Sequence, residues 1–273
     1  MKIAIDFGIS NTDLAVFDKG KISFYSSPST HKKIDSDTVL KIFKKHGISF
    51  SNVKLIGVTG GKSSDLKNYV NEVEIIKINE IDAIGLGAKK LYNINENATL
   101  VISAGSGTAC VQLNGDDFNH LGGIAVGGGM LEGLGHLLFQ NGNGHEMNEF
   151  GKKGSRNHLD LLIGDAVNKI GNLPPNLTAV NFGKAKFSDA DTIENTSAAL
   201  CNCVGEVIGT IAYLNALLMG SDKVYFIGRT SQLSLVVNGI NERLKLAGVT
   251  GVYGENREYA NVIGVLEKIK NLA

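Results

Sequence analysis

Five stretches of this chain carry residue types that could handle a phosphate or a proton. The first is Asp6-Phe7-Gly8-Ile9-Ser10-Asn11-Thr12-Asp13, where an aspartate ends an apolar run and small and hydroxyl residues follow. Such a carboxylate can hold a hydrated Mg²⁺ near a nucleotide phosphate, or it can simply cap its own turn. The second is Ala104-Gly105-Ser106-Gly107-Thr108, and the third is Gly228-Arg229-Thr230. The fourth, Gly122–Gly135, contains the consecutive Gly127, Gly128 and Gly129, whose backbone can take positive φ and come close to a ligand. A helix starting there would aim N–H groups and its positive dipole end at a phosphate. The same glycines would also serve a plain strand-to-helix turn. Met130, Leu131, Leu134, Leu137, Leu138 and Phe139 follow with the spacing of one buried helical face. The fifth is Glu80, which opens a helix just after a strand, where α/β proteins put reactive groups. A glutamate in a first turn also complements the helix dipole.

The elements that would position these residues recur. Lys2–Ile5, Leu14–Phe17 and Ile22–Tyr25 read as strands, with Asp18-Lys19-Gly20 as a hairpin turn. Asp35–His46 reads as a helix, Val53–Val58 and Glu74–Ile78 as strands, and a helix runs from Asn79 to about Leu91. Then strand, small-residue turn, strand, tight turn and strand repeat over Thr99–Ser103, Ala109–Leu113 and Phe118–Leu121. A repeat at about a hundred residues predicts two related halves, each presenting a small-residue turn to one cleft. Further on, helices are expected over Leu159–Ile170, Asp191–Met219, Ser231–Leu246 and Tyr259–Ile269, with strands at Lys223–Ile227 and Gly251–Tyr253. Thr178–Phe182 reads as a short ordered segment, and the small residues around Cys201–Gly205 predict close helix packing or a dimer seam.

Composition narrows the classes. The chain has 273 residues, a formal net charge of zero and 34 glycines, the last above the usual share of about 7%. Zero net charge gives no bulk attraction to nucleic acid or a membrane surface. Three cysteines without a Cys-x-x-Cys pair predict neither a disulfide framework nor a zinc site, and a reduced cytoplasmic protein is expected. The six histidines (31, 46, 120, 136, 145, 158) lack metal-ligand spacing, and His136 is expected to be packed in its helix. No nucleophile elbow, Walker loop or Rossmann fingerprint is present.

In this order, the motifs resemble the type II pantothenate kinase family of the actin/hexokinase/Hsp70-like superfamily. The carriers are Asn79-Glu80-Ile81-Asp82-Ala83, Ala104–Thr108, Gly122–Gly135, Gly154-Ser155-Arg156-Asn157, Leu173–Ala179 with Asn181-Phe182-Gly183, Val204-Gly205-Glu206-Val207 and Phe226-Ile227-Gly228. The resemblance implies an α/β fold of duplicated ribonuclease H-like halves, residues 1–95 and 96–273, with an ATP cleft between them, and a homodimer. It implies phosphorylation of pantothenate, the first step of coenzyme A synthesis, with Glu80 as general base and Asp6 holding Mg²⁺. Asp6, Gly8, Ser10, Asn11, Thr12, Asp13, Ser106, Gly107, Thr108, Gly128, Gly129, Met130, Gly228 and Thr230 fall on its ATP-contacting segments. His120, Gly122, Gly123 and Arg156 fall on its substrate side. Two departures stand out. Ile9 and Asp13 replace a glycine and a lysine of the first turn, and a lysine there would neutralise phosphate charge where a carboxylate repels it. His120 stands near the family's arginine, and an imidazole cannot grip a carboxylate bidentately. A diverged kinase with another hydroxylated substrate, or a non-catalytic nucleotide-binding subunit, would accommodate both departures.

Overall fold

The computed structural model describes residues 1–29, 33–61, 63–96, 98–167 and 173–272. In chain order the strands and helices are β1 (Lys2–Phe7), β2 (Asn11–Asp18), β3 (Lys21–Pro28), α1 (Ser36–Lys45), β4 (Leu55–Thr59), β5 (Tyr69–Val70), β6 (Val73–Lys77) and α2 (Glu80–Tyr92). There follow β7 (Thr99–Ala104), β8 (Thr108–Asn114), β9 (Asp117–Ile124), α3 (Gly128–Phe139), α4 (Gly144–Gly151), β10 (Leu161–Leu162), α5 (Ile163–Ala166) and β11 (Thr178–Val180). The last are α6 (Ile193–Met219), β12 (Lys223–Ile227), α7 (Ser234–Leu246), β13 (Thr250–Tyr253) and α8 (Ala260–Lys270). One sheet has the order β3-β2-β1-β4-β6-β5 and another β13-β12-β7-β8-β9. Leaving out the short β5, the two orders are the same pattern of three hairpin-joined strands, then a fourth and a fifth beside the first. The repeat seen in the sequence is therefore a repeat of topology.

The chain forms two compact units, one of Met1–Ser103, Val111–Leu121 and Tyr253–Ala273, the other of Ala104–Cys110 and Gly122–Val252. In the first unit, β1 pairs antiparallel with β2, which sets Asp6 opposite Asp13, and parallel with β4, which sets Asp6 opposite Thr59. Alternate residues of β1 face opposite ways. Ile3, Ile5 and Phe7 share a core with Val39, Ile42 and Phe43 of α1. Ala4 joins Ala15 and Leu55 in a second core completed by Val262, Val265, Leu266 and Ile269 of α8. Helices α2 and α8 touch at backbone distance, because a Cβ on Gly87 would lie 1.9 Å from the Ala260 carbonyl oxygen and one on Gly264 2.0 Å from that of Ala83. Lys2 Nζ donates to the carbonyls of Ile269, Lys270 and Leu272, capping the end of α8.

In the second unit α6 is the central helix. Gly205 and Gly209 let α7 approach, with added Cβ atoms falling 2.2 Å from the Val236 oxygen and 2.7 Å from the Ile240 oxygen. Close helix packing in this small-residue region is thus present. Among the described residues α6 alone is long and apolar enough to cross a membrane, yet 67% of that stretch is buried in the protein, as befits a core helix.

Several expectations need correction. Leu159–Ile170 is not one helix: Leu161 and Leu162 pair with Val180 and Thr178 as strands, and only Ile163–Ala166 is helical. The side chain of Asp165 takes the Leu162 N–H, stopping the helix from extending backwards. Residues 168–170 of the expected helix, and His31, lie outside the described residues. The apolar face after the glycines is only partly buried: Leu131 is fully enclosed, whereas Leu137 and Leu138 are 74% and 60% exposed. His136 on the same helix is exposed rather than packed. The helix expected from Ser231 begins at Ser234, after a 3-10 turn over Arg229–Gln232.

Candidate active site

In the second unit three of the sequence-selected turns converge. The Gly105 oxygen accepts from Gly128 N at 2.9 Å and from Thr230 Oγ1 at 2.7 Å. The Ser106 oxygen accepts from Gly129 N at 3.0 Å. Thr108 Oγ1 donates to the Val126 oxygen at 2.8 Å, tying the far end of the first turn to the approach of α3. The contacts leave no room for side chains. A Cβ on Gly127 would sit 2.6 Å from the Gly105 oxygen, and one on Gly128 2.6 Å from Thr230 Oγ1. Gly228, at φ +90°, would place a Cβ 2.4 Å from the Ala104 oxygen. The result is a backbone-lined corner of Gly105–Thr108, Gly127–Gly129 and Gly228–Thr230, with Gly107 and Gly129 exposed and Met130 half-buried. Helix α3 starts inside it without a side-chain cap. The N–H groups of Gly128 and Gly129 are taken by the neighbouring turn, and the positive end of the helix dipole is what suits an anion here.

In the first unit β1, β4 and β6 are neighbouring parallel strands, so their carboxyl ends share one edge. Asp6 lies there, Thr59-Gly60-Gly61 leaves β4 there, and Glu80 follows β6 as the exposed first residue of α2. Ligands of parallel α/β sheets bind outside such an edge. Asn79 accepts the Ile81 N–H at 2.8 Å, so α2 is capped without help from Glu80. Asp6 is oriented by Asn261, whose Nδ2 donates to Oδ2 at 2.9 Å. Ser29 holds the turn after β1, donating to the Gly8 oxygen at 2.7 Å while its Oγ lies 3.0 Å from Thr12 Oγ1. Ser10 and Asn11 are half-buried, Ile9 is 83% exposed, and Asp13 is 8% exposed. Asn261 and the Thr59–Gly61 turn are not among the residues to which the sequence motifs point. Thr59-Gly60-Gly61 directly follows a strand pattern, whereas an asparagine 255 positions from Asp6 carries no local signal.

The remaining candidates lie elsewhere. His120 is exposed on β9, ahead of Gly122 and Gly123, and a Cβ on Gly123 would lie 2.5 Å from the Thr108 oxygen. Arg156 is bound within the second unit: Nη1 donates to Thr178 Oγ1 at 2.7 Å and Asp160 Oδ2 at 3.3 Å, and Nη2 to the Asn176 oxygen at 2.8 Å. Asp160 Oδ1 also takes the Phe182 N–H at 2.9 Å. Burial pushes the Asp160 carboxyl above its ordinary range, against the opposing pull of the Phe182 N–H and Arg156. A carboxyl raised in the folded state favours folding most below its unfolded pKa, and that contribution is lost as pH rises through the folded value. Asp160→Asn, which cannot ionise, should therefore fall further behind the native chain in urea unfolding as pH is lowered from 7 towards about 4. A pH-independent gap would exclude this titration. The three cysteines are free thiols, with burial raising Cys110 to about 11 and Cys201 to about 12, which disfavours thiolate chemistry.

Comparison with known proteins places this geometry. Residues 95–237 match the protein family described as Fumble. The type II pantothenate kinase of Bacillus cereus (strain G9842) is 31% identical over 240 residues, covering 84% of this chain and 83% of that protein. Among solved structures, component A of (R)-2-hydroxyglutaryl-CoA dehydratase from Acidaminococcus fermentans matches with a TM-score of 0.65 at 14% identity, covering 97% of this chain and 95% of that one. A ROK family glucokinase from Streptomyces griseus, in complex with glucose and AMPPNP, matches with a TM-score of 0.60 at 13% identity, covering 98% of each. At such identities the structures speak for the fold, which is of the actin/hexokinase-like class. The sequence relatives go further: this chain belongs to the type II pantothenate kinase family.

Proposed function

We propose that the chain is an ATP-dependent kinase that phosphorylates the primary hydroxyl of pantothenate to give 4′-phosphopantothenate. The observation that carries this reading is the backbone corner of the second unit, where three glycine-containing turns meet at the positive end of the α3 dipole. Such a surface suits the phosphates of a nucleotide. Ser106, Gly107, Thr108, Gly128, Gly129 and Met130 are assigned to the phosphates, and Gly228 and Thr230 to the nucleoside side. In the first unit the turn from Gly8 to Asp13 is assigned to the phosphates as well. The Asp6 carboxylate, fixed by Asn261, is an oxygen donor of the kind Mg²⁺ takes. When bound, the ion would neutralise phosphate charge. Glu80, exposed and free of capping duty, takes the proton of the acceptor hydroxyl. The acceptor oxygen forms a bond to the γ-phosphorus, the bond from that phosphorus to the bridging oxygen breaks, and the electron pair leaves with ADP. Positioning and charge stabilisation supply most of the acceleration in such transfers. His120, Gly122, Gly123 and Arg156 are assigned to the acceptor side, Arg156 by positioning the Asn176–Phe182 segment.

An assay coupling ADP release to pantothenate tests the reading directly. Pantothenate-dependent turnover is expected, and its absence with ATP bound would exclude pantothenate as acceptor. A second reading, another hydroxylated acceptor, is favoured by Asp13 standing opposite Asp6 and by the exposed imidazole of His120. An acceptor panel in the same assay separates the two. The halves 1–95 and 96–273 are kept as the evolutionary repeat, and a reduced cytoplasmic setting is part of the proposal. So is a homodimer, supported by Leu137 and Leu138 of α3 and Leu217 and Leu218 of α6, which are all more than half exposed. Sedimentation equilibrium is expected to give twice the chain mass of 29.0 kDa. A monomer at micromolar concentration would remove the dimer from the proposal.

A further inference from the structure

Three polar side chains stand in a row across neighbouring strands of the first unit. The pairing of β1 with β2 sets Asp13 on one side of Asp6, and its pairing with β4 sets Thr59 on the other. All three share the face that α8 covers, since Ala4, Ala15 and Leu55, each an even number of positions away, belong to the core completed by α8. Side chains directly opposite across a strand pair have Cβ atoms about 4.5–5.5 Å apart, so the Asp6 and Asp13 carboxylates can reach one ion. Asp6 is held from both sides. Asn261 Nδ2 donates to its Oδ2 at 2.9 Å, which favours the ionised form, and a Cβ on Gly60 would lie 2.1 Å from its Oδ1. Thr59 is fully enclosed, yet its Oγ1 has no hydrogen-bond partner among the described residues. A buried hydroxyl in that condition costs free energy unless a ligand takes up its oxygen.

Neighbouring carboxylates favour a cation between them, because each raises the cost of ionising the other. The donor set is that of Mg²⁺, which takes one or two carboxylates, keeps several waters and completes its shell with substrate phosphates. Among the described residues no three His, Cys, Asp or Glu side chains group as a metal cage, which argues against Zn²⁺ or Ca²⁺. We propose that Asp13 and Thr59 join Asp6 in one divalent-cation site that fills before the nucleotide arrives. The inference rests on the assignment of Asp6 to Mg²⁺ and extends it to two further residues. It also changes what Asp13 does. Its carboxylate alone repels a phosphate, whereas with the ion seated both carboxylate charges are offset and the turn from Gly8 to Asp13 accepts one.

Mn²⁺, a paramagnetic substitute for Mg²⁺, is titrated into the full chain without nucleotide, and the free ion is followed by electron paramagnetic resonance. A single class of site is expected, half-saturated on the order of 0.1 mM and emptied by excess Mg²⁺. Asp13→Asn, which keeps the shape and loses the charge, should weaken binding by about tenfold or more, and Thr59→Val by about threefold. Circular dichroism checks that both variants are folded. The native chain gives a second readout, because its unfolding midpoint should rise with MgCl₂ beyond the effect of NaCl at equal ionic strength. An unchanged midpoint, no Mn²⁺ bound at about 10 mM, or binding by either folded variant equal to the native chain's overturns the proposal. Failure here is distinct from failure of the kinase reading. Mn²⁺ binding without pantothenate-dependent turnover removes that acceptor and keeps the site, and turnover without nucleotide-free Mn²⁺ binding does the reverse.

Discussion

Glu80→Gln is expected to leave nucleotide binding unchanged while lowering pantothenate-dependent turnover by about two to four orders of magnitude. The glutamine keeps the size of the side chain and loses only its basicity. Helix α2 does not depend on Glu80 for its start, since Asn79 supplies the cap. The fold around the residue should therefore survive, and the loss should fall on kcat. Glu80 is exposed at the edge where Asp6 and the Thr59–Gly61 turn also emerge, so no packing term obscures the comparison. Steady-state kinetics with nucleotide titration calorimetry separates the two quantities. Turnover within threefold of the native chain would remove Glu80 from the chemistry.

Gly228→Val is expected to disrupt the nucleotide corner and the second unit together. The position has φ +90°, which a β-branched residue rarely adopts, and its Cβ would meet the Ala104 oxygen at 2.4 Å. Strain and overpacking together cost on the order of 4 kcal/mol, or a fall in unfolding midpoint of about 10 °C. Relief requires β12 to draw back from the end of β7, which pulls Thr230 off the Gly105 oxygen. Nucleotide affinity should fall by about tenfold or more. Gly220→Val is the control, because Gly220 also has positive φ, at +66°, yet has open space around it. If the two variants melt alike and bind nucleotide alike, the close approach to Ala104 is not what the glycine is for.

The elements read best from sequence were those whose signals are local. The pattern predicts the strand Lys223–Ile227 at its true bounds, since β-branched and aromatic residues run between a polar turn and a glycine. The start of α2 was legible because an asparagine cap precedes an acidic first turn. The glycine clusters at 105–107 and 127–129 marked a close backbone approach before any partner was visible. What escaped depended on distant residues. Leu161 and Leu162 look helical alone, but their backbone is claimed by β11 and by Asp165. Leu137 and Leu138 have helical periodicity, and periodicity fixes which residues share a face without saying whether protein covers it. Asn261 reaches Asp6 only because α8 packs on β1, a contact between opposite ends of the sequence.

That last packing has a consequence for how the chain is made. Residues 253–273 belong to the unit that begins at Met1, so this unit is discontinuous in the sequence. On a ribosome, β1, β2 and β4 emerge early, with Ala4, Ala15 and Leu55 waiting for the helix that covers them. At about 5–20 residues per second, that face stays open for on the order of ten seconds or more before α8 is synthesised. This unit is thus completed only after the intervening residues 122–252 of the other, and Asp6 gains its Asn261 partner only then. Chaperone engagement of the nascent chain should concentrate on this interval.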